Sequence, residues 1–467
     1  MAVSRKHRLI EIDWPEFGVP TRPPRPDVEE FQGRIDTARC AMAQRGLTHL
    51  VVYGDREHFA NLAYLTGFDP RFEEALLVIG PHVEPLLIVG NECEGYLSHS
   101  PLYAAGGLRY ERFQPFSLLN QPRGTSRLLK DILGGEAIGN GSMVGCVGWK
   151  YYAESEHPAG DGAIELPAYI VDTLRELTSS QAVSNATSIF MHPAHGLRTS
   201  CSLTEIAYFE YMSVLASEGM KRMLFGIEEG MTDHELARLA GYNGEPLACH
   251  MTLALGARPG LASPCGAMVR RGETFTSNLS YWGSNCCRAG WVAASASDLP
   301  PDAADYVDAF AGPYFEAMAE WYGLMRIGVP GKAVAQLISD RLPFDTFGIF
   351  LNAGHLIHLD EWVSSPIYPG STIPMRSGMA LQADVIPDSL RYFSTRMEDG
   401  FVIADAGLRD ALRERFPAVF ARCVRRREFV TSILGIALPE EVLPLSNIHA
   451  IVPPFLLEPN TVIALEQ

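Results

Sequence analysis

Two histidines and two carboxylates crowd the stretch from Phe347 to Trp362, which reads Phe-Gly-Ile-Phe-Leu-Asn-Ala-Gly-His-Leu-Ile-His-Leu-Asp-Glu-Trp. Imidazole carries protons near neutral pH and ligates metals, and a carboxylate commonly assists it in both roles. Gly354 lets the backbone turn tightly just before His355. On a strand, alternation would set His355 and Ile357 on one face and His358 cleanly on neither, so an irregularity at the glycine is expected. Further acids follow apolar, strand-like runs: Asp384 comes after Gly378 to Ala383, and Glu398 with Asp399 after Phe393 to Met397. A charge buried there without a partner would be costly. Taken alone, His355 and His358 also read as satisfied core histidines, because one His-x-x-His fixes no metal geometry.

The order Gly354-His355, then Gly378-Met379 followed by Asp384, then Arg396-Met397-Glu398-Asp399, together with the N-terminal half, resembles the pita-bread family of creatinase, prolidase, aminopeptidase P and methionine aminopeptidase. The resemblance spans roughly Arg34 to Ala404. It implies an α/β N-terminal creatinase-like domain and an α+β C-terminal domain, a curved antiparallel sheet backed by helices. In the family's peptidases two aspartates, a histidine and two glutamates hold a pair of divalent metals, whereas creatinase uses the same fold without metal. Carried over, His355 is the histidine, Glu398 the last glutamate, and Asp384 stands where the other glutamate is expected. The aspartate pair should lie between Gly272 and Arg288, a stretch shorter than usual, and both appear there as Asn278 and Asn285.

That departure matters electrostatically. Two adjacent divalent cations need several anionic oxygens to offset their repulsion, and an amide oxygen supplies no charge. A metal pair is therefore not expected; the cofactor is none, or one iron, manganese or zinc ion on His355, Asp384 and Glu398. Cys265 occupies the approximate place of a proton-carrying histidine that the family usually has after a proline, as a catalytic thiol or a buried loop cysteine. His250 is a possible displaced substitute. Asn278, Asn285, His358, Glu361 and Arg396 are assigned to substrate binding, with Arg71 as a carboxylate clamp or a surface arginine in a turn.

The chain has 467 residues, 47% of them hydrophobic and 20% charged, which describes a globular protein too long for one ordinary core. Its 38 basic and 55 acidic residues give a net charge of −17, against nucleic acid or an anionic membrane as principal partner. No apolar run approaches a membrane span, and the polar, proline-rich start lacks a signal core, so a cytoplasmic location is expected. Nine cysteines without framework spacing fit reduced thiols, and the adjacent Cys286-Cys287 read as packing residues.

The expected organisation is 1–195, 196–405 and a C-terminal extension over 406–467 packed on the catalytic domain or a partner subunit, in a homodimer. Residues Met1 to about Asp27 should wrap the surface or a partner. A helix with Ile35, Ala38, Met42 and Ala43 on one face closes at Gly46. His49–Gly54, Ala75–Gly80, Pro85–Gly90, Val144–Gly148 and Ala168–Val171 read as strands. Ser202 and Glu205 have capping-box spacing, a second helix starts at Thr232, a long one covers about Asp302 to Met325, and another opens at Gly328–Gly331. The Arg425-Arg426-Arg427 run should be a solvated or subunit-facing patch, and the tail from Ile433 should cover the cleft or dock on a partner chain.

The function expected is creatinase-like hydrolysis of a C–N bond in a small charged guanidino, amidine or amide compound, with His355 as general base. The alternatives are a one-metal Xaa-Pro dipeptidase, aminopeptidase or lyase on the same fold, and an inactive metabolite-binding pseudoenzyme.

Overall fold

A computed structural model describes residues 6–256, 258 and 260–466. These form two compact units, one from residues 26–198 and one from 199–467 together with 1–25. Residues 6–25 thus belong with the C-terminal unit, where the sequence division placed them in 1–195. The cause is strand β1 (His7–Glu11), which pairs antiparallel with the last strand, Thr461–Leu465.

In the 26–198 unit, β2 (His49–Gly54), β3 (Ala75–Ile79), β4 (Leu86–Val89), β5 (Arg109–Arg112), β6 (Val144–Val147) and β7 (Val183–Asn185) form a mixed sheet in the order β5-β4-β3-β2-β6-β7. Strands β2, β3, β4 and β6 are buried throughout, which explains their unbroken apolar runs. The helix Val28–Gln44 buries Ile35, Ala38 and Met42, and Gly46 takes the left-handed conformation that ends it. The segment from Ala168 is a helix, Ala168–Leu177, and not a strand. Ile170, Val171 and Leu174 bury one helical face against the sheet, and tertiary packing decides a run too short to decide for itself.

The other unit carries β8 (Thr252–Leu255), β9 (Thr274–Tyr281), β10 (Ser284–Trp291), β11 (His355–Leu356), β12 (Ala380–Gln382), β13 (Glu398–Ile403), β14 (Val442–Pro444) and β15 (Thr461–Leu465). The order is β11-β12-β13-β10-β9-β8, all antiparallel, with β14 also on β13. Helix Leu203–Gly226 starts with the full Ser202/Glu205 capping box and packs on β9 and β10. The expected long helix is interrupted: a π turn, Val307–Ala311, precedes the α-helix Gly312–Gly323. Pro313 has no N–H to give the preceding turn, which favours the wider hydrogen-bonding pattern there.

Two expectations about the C-terminal region change. The tail is core structure, since β14 pairs with β13 and Ile448, Ile451 and Val452 are buried. The arginine run also faces inward. Arg422 and Arg426 both bind the buried Glu210 carboxylate, Arg425 donates to the Phe17 carbonyl, and Arg427 donates to the carbonyls of Pro439 and Val442. The opposite charge on Glu210 and backbone carbonyls with acceptor capacity to spare draw the guanidinium groups in. No helix among the described residues is long and apolar enough to cross a membrane.

Candidate active site

Strands β9 and β10 form a hairpin closed by Trp282-Gly283, with Gly283 at φ +73°. A Cβ at Gly283 would run into the Phe209 ring, so glycine is required for space as well as for conformation. The register sets Asn278 opposite Cys287, and Cys287 opposite Glu398 on β13. Three strands thereby deliver Asn278, Asn285 and Glu398 to one place.

A directional hydrogen-bond chain joins them. The Thr252 backbone N–H donates to Asn278 Oδ1 at 2.9 Å, and the Thr252 hydroxyl donates to the same oxygen. A backbone N–H can only donate, so the orientation of the Asn278 amide is fixed. Its Nδ2 then faces Asn285 Oδ1 at 3.4 Å, and Asn285 Nδ2 donates to Glu398 Oε1 at 2.6 Å. Both amides spend their oxygens on upstream donors and point an N–H2 group downstream.

His355 enters from β11, where Gly354 has φ +108° and a Cβ would press on Trp321. The His355 ring stacks on Trp362 with centroids 4.0 Å apart. Its Nε2 lies 3.2 Å from Glu361 Oε1 and 3.6 Å from Asp384 Oδ2. One donor atom from each of His355, Asp384 and Glu398 falls within 4.8 Å of the others. Arg396 closes the group, its Nη1 3.3 Å from Cys287 Sγ.

Burial raises the Asp384 carboxyl to about 6, with Glu361 adding to the shift and His355 and Arg396 opposing it. Glu398 is pushed well above the carboxylate range by burial first, then by Asp384 and Glu361. Burial alone would lower His355, but Glu361 and Asp384 outweigh it and hold the imidazole above its ordinary value. Those two carboxylates therefore shift His355 toward its protonated form relative to a free imidazole.

The fit to metal is selective. His355 Nε2 and Asp384 Oδ1 are buried without an aligned hydrogen-bond partner, and together with Glu398 they form a donor set that suits one divalent cation. A pair does not fit, because Asn278 and Asn285 bring no charge, Asn278 turns its N–H2 group to the Asn285 oxygen, and Asn285 turns its own to Glu398.

Other assigned residues lie elsewhere. His358 meets Glu205 and the Phe209 ring. Cys265 is exposed, its backbone N–H held by Asp233, and His250 is exposed too. Among the described residues neither is hydrogen-bonded or ion-paired to His355, Asp384 or Glu398. The thiol beside the asparagines is Cys249, whose Sγ accepts from Asn278 Nδ2 at 3.5 Å. Burial, with Glu361 next, lifts that thiol to about 11, so it is no ready nucleophile. Its one sequence signal is the neighbouring His250, singled out above in its place. Arg71 lies in the 26–198 unit, exposed, at φ +60°, beside Asp69. A cleft of ≈ 750 Å³, lined in part by Thr274, Trp291, Pro387, Ser394 and Arg396, adjoins the group through Arg396.

No protein-family model matches the sequence, and no curated protein is matched by it. Solved structures do match. Dipeptidase PepE from Mycobacterium ulcerans superposes with a TM-score of 0.59 at 16% identity, over 81% of this chain and 95% of that one. The prolidase from Pyrococcus horikoshii OT3 gives 0.58 at 14%, over 80% and 95%. The N-terminal domain of FACT complex subunit SPT16 from chickpea gives 0.56 at 14%, over 81% and 95%. The fold is thus the pita-bread fold, with its curved antiparallel sheet backed by helices and its mixed α/β domain, as the resemblance implied.

Proposed function

We propose that this chain is a hydrolase that cleaves a C–N bond in a small charged molecule, in the manner of creatinase rather than of the two-metal peptidases. The observation that carries the reading is the Thr252–Asn278–Asn285–Glu398 chain, which puts hydrogen bonds where the second cation's charge compensation would have to be. The names of PepE and the prolidase support hydrolytic C–N chemistry on this scaffold.

Asp384, at about 6, is poised to take a proton from the attacking water. His355, held protonated by Glu361 and Asp384, gives a proton to the departing nitrogen. A guanidinium, amidine or amine arriving beside Glu398 would, with the Asn285 hydrogen bond, favour the charged carboxylate against the burial that raises it, and Arg396 faces a carboxylate end presented from the cleft. In the alternative one-metal form, His355 would be neutral, and a divalent cation on His355, Asp384 and Glu398 would supply Lewis-acid polarisation of a scissile carbonyl in place of the proton donation by His355. The protein would work as a cytoplasmic homodimer.

Guanidino, amidine and amide compounds and Xaa-Pro dipeptides, screened with metal content determined in parallel, test the reading. Turnover of one class at no more than one cation per His355 site supports it. Two catalytic cations per chain, bound by Asn278 and Asn285, overturn it. The second reading, a binding protein without turnover, draws on the SPT16 domain, which is named for a subunit of a complex and shares the fold. Ligand-dependent thermal stabilisation with no product would favour it.

A further inference from the structure

Three residues beyond His355, the same segment builds a different donor set. Cys201, Glu205 and His358 each offer a ligand atom, and these atoms lie within 4.8 Å of one another. We propose that they form a Zn2+ site, separate from the His355 cluster and independent of the hydrolytic reading.

The local backbone explains how the three are held. Cys201 immediately precedes Ser202, the N-cap of helix Leu203–Gly226, and its N–H donates to the Gly378 carbonyl at 2.8 Å. Glu205 sits one turn on, and its Oε2 accepts from the Ser202 N–H at 2.9 Å in the capping box. That bond fixes the carboxylate plane and turns Oε1 toward His358 Nε2, 3.0 Å away. His358 is held by its N–H to the Asp360 carbonyl and by the edge of its ring on Phe209. All three side chains are buried, at 8%, 5% and 0% exposure.

The distances suit the ion. With Zn–N and Zn–O bonds of about 2.0–2.1 Å, a tetrahedral centre sets its N and O ligands about 3.3 Å apart. The observed 3.0 Å is close to that edge. Donor chemistry narrows the choice further, since a thiolate beside an imidazole disfavours Ca2+ and Mg2+, which take oxygen. The thiolate and the carboxylate together carry two negative charges, equal to the charge of Zn2+. Loaded, the site would tie the start of the Leu203–Gly226 helix to the segment that carries His355.

Uptake of Zn2+ and Co2+ by the full-length protein tests this. Wild type should retain one Zn2+ that Cys201→Ser with His358→Gln binds about 100-fold or more weakly. Co2+ should give a thiolate charge-transfer band that Cys201→Ser abolishes and that Cys249→Ser and Cys287→Ser retain. Equal Zn2+ retention by wild type and a folded double variant would overturn the proposal. If the double variant does not fold, the wild-type Co2+ spectrum decides alone, and absence of a thiolate band sinks the site.

Discussion

His355 and His358 are separated by two residues and meet different chemistry. His355 stacks on Trp362 among Glu361, Asp384 and Glu398, with Arg396 beside them next to a cleft. His358 turns to Glu205, with a thiol in place of further carboxylates. In the roles proposed above, one imidazole moves protons near a substrate and the other holds a borderline metal. Identity and sequence position are nearly the same, so the surroundings alone divide the roles.

The comparison breaks most sharply on turnover. His355→Ala should lower kcat by about 10²- to 10⁴-fold, the usual worth of a positioned acid or base, whereas His358→Gln should stay within about tenfold. Equal losses in steady-state assays of the identified substrate would erase the distinction. Next in size, Asn278→Asp with Asn285→Asp adds two carboxylates beside Asp384, Glu398 and Glu361. Without metal, stability should fall by about 2–4 kcal/mol through like-charge repulsion, with one further cation bound on addition of Mn2+. Denaturant melts with and without Mn2+ check both signs. No such coupling is expected at the His358 group.

A smaller effect isolates the hydrogen-bond chain. Asn285→Ala removes the donor to Glu398 and leaves Asn278 Nδ2 with only the Cys249 sulfur of its two acceptors, at a cost of about 1–3 kcal/mol. The Glu398 carboxyl should move further up, visible as a shifted acid limb in the pH–rate profile.

The smallest effect uses a third buried histidine as a reference. Burial, with Arg288 and Arg426 adding, lowers His449 from 6.5 to about 3. The unfolded chain binds this proton below about 6.5 and the folded chain does not until about 3, so His449 removes stability as pH falls across that window, by about 1.4 kcal/mol per pH unit. His449→Phe should flatten that slope. His355 has the opposite sign. Its raised value contributes stability fully below 6.5 and loses it as pH rises through the folded value, in metal-free protein. Paired pH–stability curves for His449→Phe and His355→Ala should diverge in these directions.

Much of the framework is legible in the chain. The short apolar runs at His49, Ala75, Leu86 and Val144 are strands because a fully buried strand has no polar face to show. Ser202 with Glu205 announces a helix start that forms as read. The 168–177 helix was ambiguous over four residues, although Leu174, four beyond Ile170, extends a helical face. The Arg422–Arg427 run gave no hint of burial, since Glu210 lies more than two hundred residues away in sequence.

Sequence alone determined which groups are available: His355, Asp384 and Glu398 at the ends of apolar runs, and amides at Asn278 and Asn285 where anions were expected. It could not assign their partners. The amide orientation depends on the Thr252 N–H across β8 and β9, and the thiol beside Asn278 is Cys249, where the sequence singled out its neighbour His250. Which histidine meets carboxylates and which meets a thiol was settled by a two-residue strand and a left-handed glycine turn. Residue types are local, but desolvation, hydrogen-bond direction and donor geometry depend on segments brought together only by the fold.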